Sequence, residues 1–306
     1  MDTNSFEEIR EPMLSAFRLI EDLYVDNCDK YKVLTGYEEI DHLIAGLHCG
    51  DLIALVGSPG SGKTTFLVNI AMNIALRAQQ EVAFAGMQHT PEQLGMRFLG
   101  KESNVIMREI LRGYIRKEDW HELTSKASKI AESPLTIFDL SVQGVDHLIA
   151  GLRRLKQEKP GTKLLIIDSL DMLPVRNRQE YAEYLRLLKL AALEMKLPIL
   201  LSCCLKTKKL KKTNKVVIKD SKLDIVERFS DTIMLIDIDN DNIDARITPD
   251  GLHLRNEFDD GVHFLTKLRT EIYLLKNLYG PTGSIFLNYI PQQFRFESTD
   301  PQEDEE

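Results

Sequence analysis

The strongest chemical signal in this chain is the run GSPGSGKT, Gly57 to Thr64. It matches G-x-x-x-x-G-K-[ST], the pattern of a phosphate-binding loop. Gly57, Gly60 and Gly62 let the backbone wrap a polyphosphate, and Ser58, Pro59, Ser61 and Thr65 complete the loop and its exit. Lys63 is suited to the β- and γ-phosphates, and Thr64 to a Mg²⁺ ion. A second signal, KLLIIDSL, ends an apolar run in Asp168, about 100 residues further on. A carboxylate there holds Mg²⁺ through water. Together the two predict binding of Mg·ATP or Mg·GTP.

A third stretch is basic. Lys206 to Lys222 contains eight lysines and one acid, Asp220. Lys206, Lys208, Lys209, Lys211, Lys212 and Lys215 are the candidate contacts to nucleic-acid phosphates, with Arg176 and Arg178 as a second set. The stretch has no aromatic residue, so binding through it is expected to be phosphate-led and salt-sensitive. The bland reading is a solvated lysine-rich loop.

Elements of alternating type must position these groups. Apolar runs predict strands at 52–57, 82–87, 135–140, 163–168 and 198–203, with later ones near 231–236, 271–276 and 284–289. Helical periodicity predicts helices at 64–78, 91–99, 105–112, 117–132, 145–158 and 181–196. Such alternation implies an α/β fold, with a mostly parallel twisted sheet and helices on both faces. GPTG at 280–283 predicts a C-terminal β-hairpin. Met13, Phe17, Ile20 and Tyr24 form an apolar stripe on a helix over Pro12–Tyr24, with Pro12 opening it. That stripe covers either the chain's own core or a neighbouring subunit. The expected organisation is an N-terminal segment at 1–30, an ATPase domain at 31–297 and a disordered acidic tail at 298–306.

Composition narrows the class. The 306 residues are 43% hydrophobic and 28% charged, with formal net charge −8. An acidic protein repels nucleic acid overall, so any such contact is local. Four cysteines include no C-x-x-C pair, which argues against a zinc site or disulfide framework. No apolar run reaches the roughly 18 residues of a membrane span. The acidic N-terminus is no signal peptide, and a cytoplasmic location is expected. The acidic block Asp237–Asp260 lacks the glycine and glutamate of a calcium loop and reads as an insertion between strands.

The ordered set SAFRLIEDLY, LTGYEEIDHLIAGLHCGDLIALVGSPGSGKTTF, PEQLGMRFLG, LLIIDSLDML, LPILLSC and GPTGSIFL resembles the RecA-fold motor domain of the DnaB-type replicative helicases. The likeness runs from about Ser15 to Phe296. It implies an ATP-driven ring, usually a hexamer, moving 5′ to 3′ on single-stranded DNA in replication. It also implies that the Pro12–Tyr24 helix packs on the adjacent subunit, and that other replication proteins are partners. The family's helical N-terminal domain is not in the sequence, so primase recruitment by the usual route is not expected. Three positions depart from the family pattern. Gln88 stands at the catalytic glutamate, Cys203 at the glutamine that senses the γ-phosphate, and Leu278 at an arginine reaching the neighbour's ATP. Lys276 keeps the other half of that basic pair. An amide orients water but cannot take its proton, and with all three groups replaced slow hydrolysis or none is expected. His89, beside Gln88, reads as a surface histidine. The alternatives are a non-hydrolysing ATP-binding scaffold or helicase partner, and a clock- or repair-type RecA-fold ATPase.

Overall fold

The computed structural model describes residues 8–25, 31–138, 140, 144–209, 216–238, 245–248, 251–254 and 267–299. The chain opens with α1 (Arg10–Tyr24), then β1 (Lys32–Val33), α2 (Glu38–Ile44) and β2 (Leu47–His48). β3 (Leu52–Gly57) leads through the glycine loop into α3 (Lys63–Met72), which continues as a π-helical turn at Asn73–Arg77. Then come β4 (Val82–Gly86), α4 (Pro91–Glu102), α5 (Met107–Leu111), α6 (Lys117–Ala131), β5 (Leu135–Ile137) and α7 (Val145–Glu158). β6 (Leu164–Asp168), α8 (Arg178–Met195) and β7 (Ile199–Cys204) follow. The basic stretch contributes β8 (Thr207–Lys209) and β9 (Val216–Ile218), and α9 (Leu223–Phe229) comes next. The chain closes with β10 (Thr232–Ile238), β11 (Ala245–Thr248), β12 (Gly251–Leu254), β13 (Leu268–Asn277), β14 (Gly283–Ile290) and β15 (Arg295–Ser298).

Among the described residues one nine-stranded sheet carries the fold, in the order β15-β14-β13-β10-β3-β7-β6-β4-β5. From β10 to β5 the neighbours are parallel, and β13, β14 and β15 add an antiparallel wing. The central strands are buried on both faces, which is why they read as continuous apolar runs. Alternate residues of one strand feed different cores. Ile53 and Leu55 pack with α2, α3 and α4, while Leu52, Ala54 and Val56 pack with α7 and α8. α3 lies beneath the sheet with Phe66, Leu67, Ile70 and Met72 all fully buried.

α4 starts where Thr90-Pro91-Glu92-Gln93 places it. Gln93 N–H donates to Thr90 Oγ1 at 3.3 Å, and Thr90 N–H donates to Gln93 Oε1 at 3.1 Å. That reciprocal cap, with proline in the first position, fixes the turn that carries Gln88 and His89.

Four expectations change. α1 begins at Arg10, two residues before Pro12, and buries none of its residues. Its apolar stripe does not cover this chain's own core: Phe17 and Ile20 are each 59% exposed. The basic stretch is a β-hairpin rather than a loop, because Thr207 to Lys209 pairs with Val216 to Ile218. β15 extends the expected terminal hairpin by a strand. The acidic insertion holds a small hairpin of its own, β11 with β12.

β15 matters because it ties the wing to α3. Phe66 stacks on Tyr37 at 5.5 Å and meets Phe296 edge-on at 5.4 Å. Phe66→Ala is expected to destabilise the fold by about 3–5 kcal/mol in urea unfolding, because a fully buried ring leaves a cavity. A cost below about 1 kcal/mol would show that this junction repacks freely.

Candidate nucleotide-binding site

The C-terminal ends of the parallel strands carry the site. β3 delivers Gly57, and the loop turns back into α3 at Gly62, whose φ of +80° is left-handed backbone that favours glycine. Gly57 has a different constraint. A Cβ there would sit 2.5 Å from Ser61 Oγ and 2.8 Å from Ile236 O, so the loop closes only over a hydrogen. Lys63 Nζ donates to Gly57 O at 2.9 Å and Ser58 O at 2.7 Å, and lies 3.8 Å from Cys204 Sγ. The ammonium is thus held over the loop, above the N-terminus of α3.

Asp168 ends β6 and is 1% exposed. Its Oδ1 accepts from Ser202 Oγ at 2.5 Å. Its Oδ2 has no hydrogen-bond partner among the described residues. A buried carboxylate oxygen without a donor fits the hydration shell of a divalent cation. Thr64 lines the same cavity of about 460 Å³, so the donor set suits Mg²⁺ beside a phosphate chain. Pro59, Gly60, Gly62, Lys63, Thr64 and Thr65 of the glycine loop thus line one cavity with Asp168.

Gln88 also lines this cavity. It is exposed, and its Nε2 lies 3.5 Å from Ser169 Oγ. His89 sits to the side, half-buried, with Nε2 3.2 Å from Arg97 Nη2. Burial, and then Arg97, push its pKa below the usual imidazole range. β4 stops at Gly86, so cap geometry rather than strand alternation separates the two residues. Cys203 requires a correction. It is fully buried against the α8 side of the sheet, where burial pushes its thiol up to about 12. The side chain that lines the nucleotide cavity is Cys204, one residue later. Successive residues of a strand face opposite ways, and β7 runs through Cys204.

Lys276 lies away from this cavity. It pairs with Ile233 near the start of β10, the opposite end of the parallel strands from the glycine loop. Its Nζ donates to Glu227 O at 2.8 Å and Ser230 O at 2.7 Å. Leu278, two residues on, is 60% exposed.

The basic hairpin is fastened to the nucleotide cavity at several points. Ser58 Oγ of the glycine loop is 2.5 Å from Thr207 Oγ1 of β8. Asp171 lines the cavity, and its Oδ2 accepts from Ser169 Oγ at 2.8 Å and from Cys204 N–H at 2.7 Å. Lys222 Nζ stands 3.9 Å from Asp171 Oδ1. Asp220 closes the hairpin base, accepting from Lys206 N–H at 3.0 Å and Lys222 N–H at 2.9 Å. Lys206 and Lys208 are exposed. Lys209 belongs to β8, and Lys211, Lys212 and Lys215 lie outside the described residues. Arg176 is exposed. Arg178 is exposed but engaged, donating to both carboxylate oxygens of Asp224 and to Ser221 O, which fastens α9 to the start of α8.

Sequence reading missed Asp171, Cys204, Arg97, Tyr289 and Phe294, all of which line the cavity. Asp171 was visible in DSLDM, three residues past Asp168. Tyr289 comes from β14 and Phe294 from the turn between β14 and β15, and nothing near the glycine loop in sequence points to them.

The family model of the DnaB-like helicase C terminal domain matches residues 32–298. The chain belongs to that family. It is 33% identical over 205 residues to the replicative DNA helicase DnaC of Bacillus subtilis (strain 168), a match that takes in 65% of this chain. The chain spans 45% of that relative's length. Among solved structures, a DnaB-like replicative helicase superposes with TM-score 0.75, covering 97% of this chain and 68% of its own, at 18% identity. A KaiC-like protein from Pyrococcus horikoshii OT3 shares the fold more distantly, with TM-score 0.56 over 88% of this chain and 99% of its own, again at 18% identity. The DnaB-like domain thus takes precedence over the clock-type alternative. No helix among the described residues is long and apolar enough to cross a membrane.

Proposed function

We propose that the protein is the ATP-driven motor of a DnaB-like helicase, acting on single-stranded DNA in replication. The observation that carries this reading is the junction between the glycine-loop cavity and the basic hairpin, through Ser58 and Thr207 on one side and Asp171 with Lys222 on the other. A phosphate chain held by Lys63 and Gly57–Thr65, with Mg²⁺ at Thr64 and Asp168, bears directly on the base of a lysine-rich arm. The arm grips the DNA backbone without reading sequence. The bare apolar stripe of α1 supports docking on a neighbouring copy in a ring, and the family resemblance assigns Lys276, at the sheet end opposite the glycine loop, to the neighbour's nucleotide.

ATP turnover with and without single-stranded DNA tests the reading. DNA-stimulated turnover supports it, and turnover indifferent to DNA opposes it. The hairpin has its own test. Lys206→Glu with Lys208→Glu is expected to weaken single-stranded DNA binding across sequences and to lower the salt slope by about 0.7 for each phosphate no longer neutralised. An unchanged slope would remove these two lysines from the interface.

A second reading, a nucleotide-holding scaffold without hydrolysis, is favoured by one observation. Gln88 occupies the turn beside the cavity where the family resemblance expects a glutamate, and an amide cannot accept water's proton.

A further inference from the structure

A second cavity, of about 400 Å³, lies at the far end of α3 from the glycine loop. Among the described residues it shares no lining residue with the nucleotide cavity. Arg77, Lys101, Lys126 and Arg295 border it, against Glu102 and Glu297. These cations come from four separate elements of a chain whose formal net charge is −8.

Two of the four have structural work. Arg295 donates to Lys101 O at 3.2 Å and Ser103 O at 3.1 Å, closing the carbonyl end of α4, and stands 3.5 Å from Glu297. Lys101, only 5% exposed, donates to Glu102 Oε1 at 2.6 Å and Asn73 Oδ1 at 3.2 Å. The side chains of Arg77 and Lys126 make no hydrogen bond or ion pair with any described residue. They are surplus to the needs of the helix ends.

The backbone changes form to bring Arg77 there. α3 leaves α-helical pitch at Asn73 for a π-helical turn through Arg77. Asn73 is pinned by its Nδ2 donating to Thr35 O at 3.2 Å. π turns are uncommon and concentrate at sites that use the displaced side chains. Gly36 keeps the rim open. Its φ is +80°, and a Cβ there would lie 2.7 Å from Asn73 Cβ.

We propose that this cavity is a second anion site, taking a small phosphate-bearing molecule such as pyrophosphate or the phosphate chain of a nucleotide. Its volume lies in the range of small-molecule sites, and its lining is polar and cationic rather than apolar. Arg77 and Lys126 meet the phosphate oxygens as charge-assisted donors, while Lys101 and Asn73 form the floor. Burial, followed more weakly by Arg77 and Arg295, draws the Lys101 ammonium below its ordinary range against the opposing pull of Glu102. A bound anion reverses that pressure.

The test is calorimetric titration of pyrophosphate into the full chain carrying Lys63→Ala, which weakens the glycine loop as a competing site. One pyrophosphate per chain is expected, weakened on the order of tenfold or more when Arg77→Ala and Lys126→Ala are added. Both side chains reach solvent, and a thermal melt confirms that the added changes leave the fold intact. No binding, or binding indifferent to the added pair, would overturn the proposal. So would an equal weakening in a control that removes Lys206 and Lys208 instead, since bulk charge would then explain it. ATP displacing pyrophosphate would identify a nucleotide's phosphate chain, and ATP failing to displace it a free polyphosphate; both uphold the site. A hexaglutamate peptide binding there more tightly than pyrophosphate would assign the cavity to an acidic protein segment and overturn the phosphate assignment.

Discussion

Lys63→Ala is expected to lower ATP turnover by about 10²–10³-fold, with a matching drop in ATP affinity. The ammonium lies directly over the loop, held by Gly57 O and Ser58 O, so it is in place before nucleotide arrives. A donor held in advance needs no reorganisation when charge develops on the γ-phosphate, which is where such groups have their largest effect. The fold is expected to survive. α3 is anchored by Phe66, Leu67 and Ile70 beneath the sheet, not by the lysine. A coupled phosphate-release assay and a thermal melt, run together, check both halves. Turnover within a few-fold of wild type would mean that the loop does not hold the nucleotide.

Gln88→Glu is expected to raise turnover by about 10²-fold, the lower range of what a positioned general base contributes. Gln88 lines the same cavity as Lys63, Thr64 and Asp168, and nothing nearby buries it. A carboxylate there has room to accept a proton from water beside the γ-phosphate. It also meets Asp168 and Asp171, whose charges oppose it, so the gain should be largest with Mg²⁺ saturating. The measurement is steady-state ATP turnover at saturating Mg²⁺, with and without single-stranded DNA. Silence in wild type with rescue by Gln88→Glu would support the scaffold reading. Brisk DNA-stimulated turnover in wild type, unchanged by the substitution, would show that water is activated without a carboxylate at this position.

The two outcomes bear on different residues of one cavity, and the residues differed in how readable they were. GSPGSGKT and KLLIID announce themselves because the phosphate loop needs fixed residue types at fixed spacing, after an apolar strand. The central strands were equally plain, since strands buried on both faces carry continuous apolar runs. β8 and β9 were not. Lysine-rich segments carry no strand periodicity, and only the register Thr207 to Ile218 makes them a hairpin. β15 is four residues of mixed polarity, made a strand by its pairing with β14 and by the burial of Phe296. The choice between Cys203 and Cys204 was also out of reach. It depends on which face of β7 looks toward the glycine loop, a one-residue matter that motif alignment does not settle.

By itself, then, the sequence determined an α/β fold with a mostly parallel sheet, a phosphate-loop motif, an aspartate at a strand end and a basic stretch. These are local patterns, written in consecutive residues. Tertiary structure alone decided that the basic stretch is a hairpin bonded to the loop through Ser58 and Thr207, 149 residues apart. It alone decided that Asp171 and Cys204 face the cavity, that α1 leaves its apolar stripe bare, and that four distant cations meet behind α3. Contacts between residues so far apart in the chain are set by strand order and helix packing, and one sequence read along its length does not contain that order.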